Sequence, residues 1–219
     1  MEFYQRLVAA SQDAQATFHS APIIAAALEG KVTRALYLDF LEQAFHHVRH
    51  TVPLLMACGS RLPANMEWLR EAVAHYIEEE IGHHEWILND IRASGGDAEA
   101  VRHGQARFET EVMVAYAYDL IARRNPVGFF GMVFVLEGSS VQLATQLAHT
   151  LGQHLDLPPG AFSYLSSHGA LDMQHIEDFR LLVNQLEDPA DQQAVIDAAK
   201  MFFRLYGDVI RSIGTEGNV

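Results

Sequence analysis

A chain of 219 residues, 49% of them hydrophobic and without any shift in composition along its length, can enclose one large core and reads as a single domain spanning 1–219. A formal charge of -13 with only 15 Lys and Arg excludes the basic face that a nucleic acid or an anionic membrane surface would need. One cysteine, Cys58, excludes an internal disulfide, and no apolar run reaches the roughly 18 residues of a membrane span. Met1–Arg6 lacks the charged-then-apolar layout of a secretory signal, so a cytoplasmic location is expected.

Phe3, Leu7, Val8, Ala14 and Phe18 recur at helical spacing, and Pro22 interrupts them before a short apolar turn that Gly30 stops. Thr33 can cap a helix that runs through Leu36, Phe40, Phe45, Val48 and Leu55, with Pro53 expected to kink it. Arg61–Asn65 is a turn. The apolar positions Met66, Leu69, Val73, Ile77, Ile81, Leu88 and Ile91 then predict one long helix over 66–94, closed by Gly95-Gly96. A polar connection or short helix over 97–107 leads to a helix over 108–124, and Asn125-Pro126 is a stop and restart. The next helix runs to Leu155 and carries Gly131 and Gly138, positions where another helix or a ligand could come close. After Pro158-Pro159-Gly160, Ser166 or Ser167 is expected to cap a helix reaching about Leu186. A last helix over 191–213 should turn Val195, Ala198, Met201, Phe202 and Leu205 inward. No segment alternates at period two for long. The fold class is therefore all-α, with about seven or eight helices.

Three groups of side chains point to a metal. His168, Asp172 and His175 fall at i, i+4 and i+7, which on a helix of about 100° per residue places them within roughly 60° of arc on one face. Two imidazoles and a carboxylate on one stripe suit a first-row transition metal such as iron. Glu79-Glu80-Ile81-Gly82-His83-His84 repeats the pattern: Glu80 precedes His83 by three residues and His84 by four, and helical spacing does not choose between them. Glu79 with His83 is a rotated alternative. Glu137 lies in the most apolar stretch of the chain, where a carboxylate without a metal, a histidine or an arginine partner would be costly. His46, His47 or His50 is a further possible contributor, with Glu42 four residues before His46. Acid-to-His pairs at this spacing are commonly surface pairs on a helix. Three helices each supplying such groups are what a metal site in a helical bundle requires.

The chain resembles the heme-oxygenase-like group that includes the TenA thiaminases, PqqC and the iron-dependent oxidases and oxygenases related to CADD. Ala21-Pro22 to Gly30 and Tyr37 to Phe45 resemble the start of TenA-type proteins, while Glu79 to His83 and His-x-x-x-Asp-x-x-His at 168 to 175 resemble the iron branch. The likeness covers nearly the whole chain. It implies a heme-oxygenase-like helical bundle in which Glu80, Glu137, His168, Asp172, His175 and a histidine at or beside His83 hold one or two non-heme irons. A TenA thiaminase would use a cysteine on a mid-chain helix, whereas Cys58 stands on an earlier one. A heme oxygenase would use a first-helix histidine; His19 is on that helix but closer to Gly30 than expected, so heme is not the expected cofactor.

These readings together lead to an expected non-heme iron-dependent oxidase or oxygenase that activates O2 and acts on a small organic molecule, in a homodimer. Phe129, Phe130, Phe134 and Tyr164 are expected to wall a dry pocket, and Arg49 could bind a substrate carboxylate. Two rivals remain: a non-catalytic iron- or ligand-binding member of the fold, and a TenA-like hydrolase without metal. The second leaves Asp172 and His175 without a role.

Overall fold

The computed structural model describes residues 1–215, and the side chains of all of these except 140–145 and 167–175. Among the described residues the chain is entirely helical, with eleven α-helices where seven or eight were expected. They are α1 (Phe3–His19), α2 (Pro22–Leu28), α3 (Arg34–Val48), α4 (Thr51–Arg61), α5 (Glu67–Glu80), α6 (His83–Ala93), α7 (Ala98–His103), α8 (Phe108–Arg123), α9 (Phe130–His154), α10 (Ser163–Val183) and α11 (Pro189–Ser212). Short 3-10 turns at Ala64–Met66, Pro126–Phe129 and Pro159–Phe162 link some of them. Among the described residues no helix is long and apolar enough to cross a membrane.

The larger helix count comes from breaks that leave the apolar periodicity nearly in phase. The segment over 34–55 is two helices separated at Arg49-His50, and Pro53 sits in the first turn of α4, where its missing N–H leaves no bond unmade. The segment over 66–94 is likewise two helices, α5 and α6, separated at Ile81-Gly82. Capping residues act where expected in two places. Thr33 Oγ1 accepts from Leu36 N at 3.3 Å, and Asn125 Oδ1 accepts from Val127 N at 3.0 Å ahead of Pro126. The last helix starts at Pro189 rather than Asp191, because Asp188 accepts from Ala190 N at 2.8 Å. On it Val195, Ala198 and Phe202 are buried, but Met201 faces out.

Helix α9 is the centre of the bundle and packs against α10, α11 and α2, while α1 lies on α11, α4 on α5 and α3 on α6. One apolar cluster joins α1, α4, α5, α8, α9 and α11; a second joins α3, α6 and the segment around Phe162. The approach of α9 to α11 needs Gly131. A Cβ there would lie 2.6 Å from both Ala199 N and Val195 O, so the two backbones touch with no room for a methyl group. Gly138 does not share this role, since no described atom lies within 4 Å of a Cβ built on it.

Gly131→Ala is expected to lower stability by about 1–2 kcal/mol, overpacking outweighing the roughly 1 kcal/mol that alanine gains in a helix. For a chain of this size that is a fall of about 2–8 °C in thermal unfolding. Gly152→Ala on the same helix, where a Cβ meets only a phenylalanine carbon at 3.9 Å, should be neutral or stabilising. Equal behaviour of the two variants in a melting experiment would show that the α9–α11 contact is not limiting.

Candidate metal centre

A cavity of about 160 Å³ lies where the two apolar clusters meet. Most of its wall is apolar, including Phe40 from α3, Leu54 and Leu55 from α4, and Met132, Val133 and Leu136 from α9. The polar groups on it are Tyr76 and Glu80 from α5, Glu137 and Ser139 from α9, His47, Thr51, Tyr164 and Tyr206. No Arg or Lys is among the described residues lining it. Of the expected aromatic wall, Phe129 and Tyr164 line the cavity, whereas Phe130 and Phe134 are packed in the core beside it.

Glu80 ends α5 and its Oε2 lies 3.0 Å from His83 Nδ1, with only 16% and 5% of the two side chains exposed. His83 packs at a tilt of 31° against Trp86, with ring centroids 4.1 Å apart. His84 is turned away: its side chain is 38% exposed and its Nε2 approaches Glu85 at 3.5 Å. The pair does not lie mid-helix, as the sequence suggested, but at the break between two helices. Glu79 pairs back along α5 with His75 at 3.4 Å. Glu137 lines the cavity with its Oε2 out of solvent. Burial, and then the nearby carboxylates of Glu137, Glu79, Asp178 and Glu80, hold the Tyr76 phenol well above its ordinary range, so it stays protonated.

The histidines of α3 separate. His47 lines the cavity and sets its ring edge-on to Tyr206 at 5.7 Å. His46 is buried off the cavity against Phe45, and His50 shares a hydrogen bond with Tyr118 at 3.1 Å. Burial lowers the pKa of both, aided by the charge of Arg49. Arg49 does not line the cavity and lies exposed over the Phe45 ring, 5.4 Å from its centroid. His19 packs on Phe18 and does not line the cavity. Cys58 also stays off the wall, donating to the Pro126 carbonyl at 3.4 Å, and burial pushes its thiol up to about 12. No thiol nucleophile therefore faces the cavity.

The backbone of 168, 172 and 175 falls within α10, while the side chains of His168, Asp172 and His175 lie outside the described residues. Among the described residues no group of three or more His, Cys, Asp and Glu side chains forms a complete metal cluster. What the structure does show is how α10 begins. It starts at Ser163, ahead of the serines expected to cap it, because Asp90 on α6 reaches its first turn. Asp90 Oδ1 accepts from Ser163 N at 3.1 Å and from Ser163 Oγ, and Oδ2 accepts from Tyr164 N at 2.8 Å. Full burial pushes this carboxyl up, against the downward pull of its donors. Ser166 instead bonds back to the Phe162 carbonyl.

A family model described as an iron-containing redox enzyme matches residues 38–207. The chain belongs to that family. No curated protein matches the sequence. The fold is heme oxygenase-like, shared with a Shewanella denitrificans protein of unknown function at 22% identity and a TM-score of 0.84, the match covering 97% of this chain and 92% of that one. A TenA homologue from Pseudomonas syringae is 11% identical at a TM-score of 0.77, covering 95% and 90%. A CADD-like protein of unknown function from Nostoc punctiforme is 12% identical at a TM-score of 0.71, covering 95% and 97%. Heme oxygenases have the same fold.

The residues on the cavity fit an iron ion. Glu80 and Glu137 on its wall, with the His83 imidazole 3.0 Å from Glu80, are donors that suit a first-row metal. The cavity wall around these carboxyl groups is mostly apolar, and among the described residues no Arg or Lys lines it, a setting that a bound cation would make less costly. Asp90 and His83 are seven residues apart on one face of α6, so the helix that brings His83 to Glu80 also starts α10. Asp90→Ala should lower stability by about 3 kcal/mol, because three donors lose a buried acceptor. The corresponding drop in thermal unfolding is about 6–12 °C, and Asp90→Asn, which keeps one oxygen, should lose less. An unchanged melting temperature in Asp90→Ala would mean that α10 is started by its own sequence.

Proposed function

We propose that the protein is a non-heme iron-dependent, O2-activating oxidase or oxygenase acting on a small molecule with an apolar body. The observation that carries this proposal is the meeting of Glu80 and Glu137 on one apolar cavity that no described Arg or Lys lines. Iron would be held by Glu80, His83 and Glu137 together with His168, Asp172 and His175 of α10, and would supply the binding and reduction of O2.

The chain's own residues define the rest. The apolar wall excludes water from the reacting groups and selects an occupant by size: a cavity of about 150 Å³ lined by Leu, Ile and Phe accepts benzene, and this one, at about 160 Å³, is comparable. Tyr76 keeps its proton on Oη and can donate it in a hydrogen bond to a carboxylate or to a substrate oxygen or nitrogen. Tyr206 does the same on the His47 side, its phenol pushed up to about 12 by burial. Neither is a cation. The described wall thus favours a substrate whose polar group is neutral, or one whose anionic group is taken up by the metal.

After anaerobic loading with Fe(II), the wild type should consume O2 on mixing with oxygenated buffer, faster in the presence of a small apolar compound that fits. Glu137→Ala should lose iron affinity or uptake rate by about 10- to 100-fold. His175→Ala should lose most of its iron by elemental analysis while its circular dichroism stays that of a full helical bundle. If iron-loaded wild type takes up no more O2 than Glu137→Ala and yet binds a compound tightly, the protein is a binding member of the fold and not an oxygenase.

A further inference from the structure

Taking Glu80 and His83 as metal donors, we infer that Gly82 is the positioning residue that assigns the histidine, seating His83 rather than His84 against Glu80. In an unbroken helix the two would be nearly equivalent. At about 100° per residue, His83 and His84 lie roughly 60° to one side and 40° to the other side of Glu80. The chain does not continue as a helix. Ile81 leaves it at φ -59°, ψ 120°, Gly82 turns left-handed at φ 90°, and α6 starts afresh at His83. The turn rotates α6 so that His83 is buried 3.0 Å from Glu80 and His84 reaches solvent. It also leaves the apolar Ile81 side chain 64% exposed, which is opposite to what packing alone would select.

Packing does not require glycine at this position. No described atom lies within 4 Å of a Cβ built on Gly82, so only its backbone angle restricts what can stand there. A left-handed φ is open to glycine, tolerated by asparagine and strongly disfavoured for a β-branched residue. Sterics and conformation are thereby separable by substitution. Gly82→Asn should preserve the turn, and Gly82→Val should push the chain back towards a continuous helix in which both histidines compete for Glu80.

The test has a metal-free arm and a metal arm. In the metal-free protein, imidazole nitrogen NMR of wild type and Gly82→Asn should show the His83 ring, identified by its loss in His83→Gln, hydrogen-bonded through Nδ1. In Gly82→Val that signal should be lost or shared with His84. With Co(II) as probe, Gly82→Asn should keep the wild-type affinity and Gly82→Val should lose about 10- to 100-fold. His83→Ala should weaken Co(II) binding in the wild-type background and His84→Ala should not, whereas in the Gly82→Val background the two should weaken it alike. Should the valine variant fail to fold, the milder Gly82→Ala should move the same readouts in the same direction. Gly82→Val with wild-type affinity and dependence on His83 alone would overturn the inference, as would Gly82→Asn losing as much as Gly82→Val. If Glu80→Ala and Glu137→Ala both leave Co(II) binding unchanged, the metal assignment fails. The metal-free imidazole signals then still decide, since a Glu80–His83 pair that survives Gly82→Val overturns the role of Gly82, and one that is lost supports it.

Discussion

Two carboxyl groups facing one apolar cavity form the constraint on which the rest of this bundle depends. Glu80 comes from the end of α5 and Glu137 from the middle of α9, and the surface between them is built from leucine, valine, methionine and phenylalanine. A carboxylate on such a surface loses much of its hydration. The imidazole beside Glu80 reduces that cost, and a bound cation would reduce it further. A donor set of this kind is useful only if the helices that carry it hold their positions.

Three local features hold them. Gly131 lets the backbone of α9 rest on that of α11, which fixes the axis along which Glu137 projects. The left-handed Gly82 ends α5 directly after Glu80 and begins α6 with His83, so donor and partner are adjacent across a break. Asp90 then carries the alignment onward, because its carboxylate takes the first N–H groups of α10. A helix N-terminus favours a negative charge, so this contact combines hydrogen bonding with the helix dipole. Helices α5, α6 and α10 thus form a connected path, and displacement of α6 would disturb both the Glu80–His83 pair and the start of the helix carrying residues 168 to 175.

The fold class, the cap at Thr33, the restart at Asn125-Pro126 and the small-residue contact at Gly131 were legible in the sequence because each depends on neighbouring residues or on a simple period. The break at Ile81-Gly82 was not, since the apolar pattern from Met66 to Ile91 runs across it without interruption. Choosing between His83 and His84 needed that turn. Among the α3 histidines, spacing could not show that His47 faces the cavity while His46 is packed against Phe45. The role of Asp90 had no local signal at all: its partners, Ser163 and Tyr164, are far along the chain, and only the tertiary fold brings them together. Tyr76 was missed although it stands one turn before Glu80, because a tyrosine on an amphipathic helix reads as core.

The same helical architecture serves heme oxygenases and TenA homologues, so the fold leaves the chemistry open and the side chains on the cavity must decide it. Cys58 is buried and bonded to the Pro126 carbonyl, off the cavity lining, with its thiol held protonated, so it is not placed as the nucleophile that a thiaminase-like hydrolysis would require. His19 is packed on Phe18 away from the cavity, which removes the described first-helix imidazole from its interior. What the described residues turn inward is two carboxyl groups, one imidazole and phenols that include the protonated Tyr76 and Tyr206. Carboxylates and imidazoles bind a metal, whereas phenols that keep their protons donate hydrogen bonds without adding charge. A site of this composition fits the proposed reaction, in which a bound metal would carry the electrons and the protein would control water, orientation and the placement of single protons.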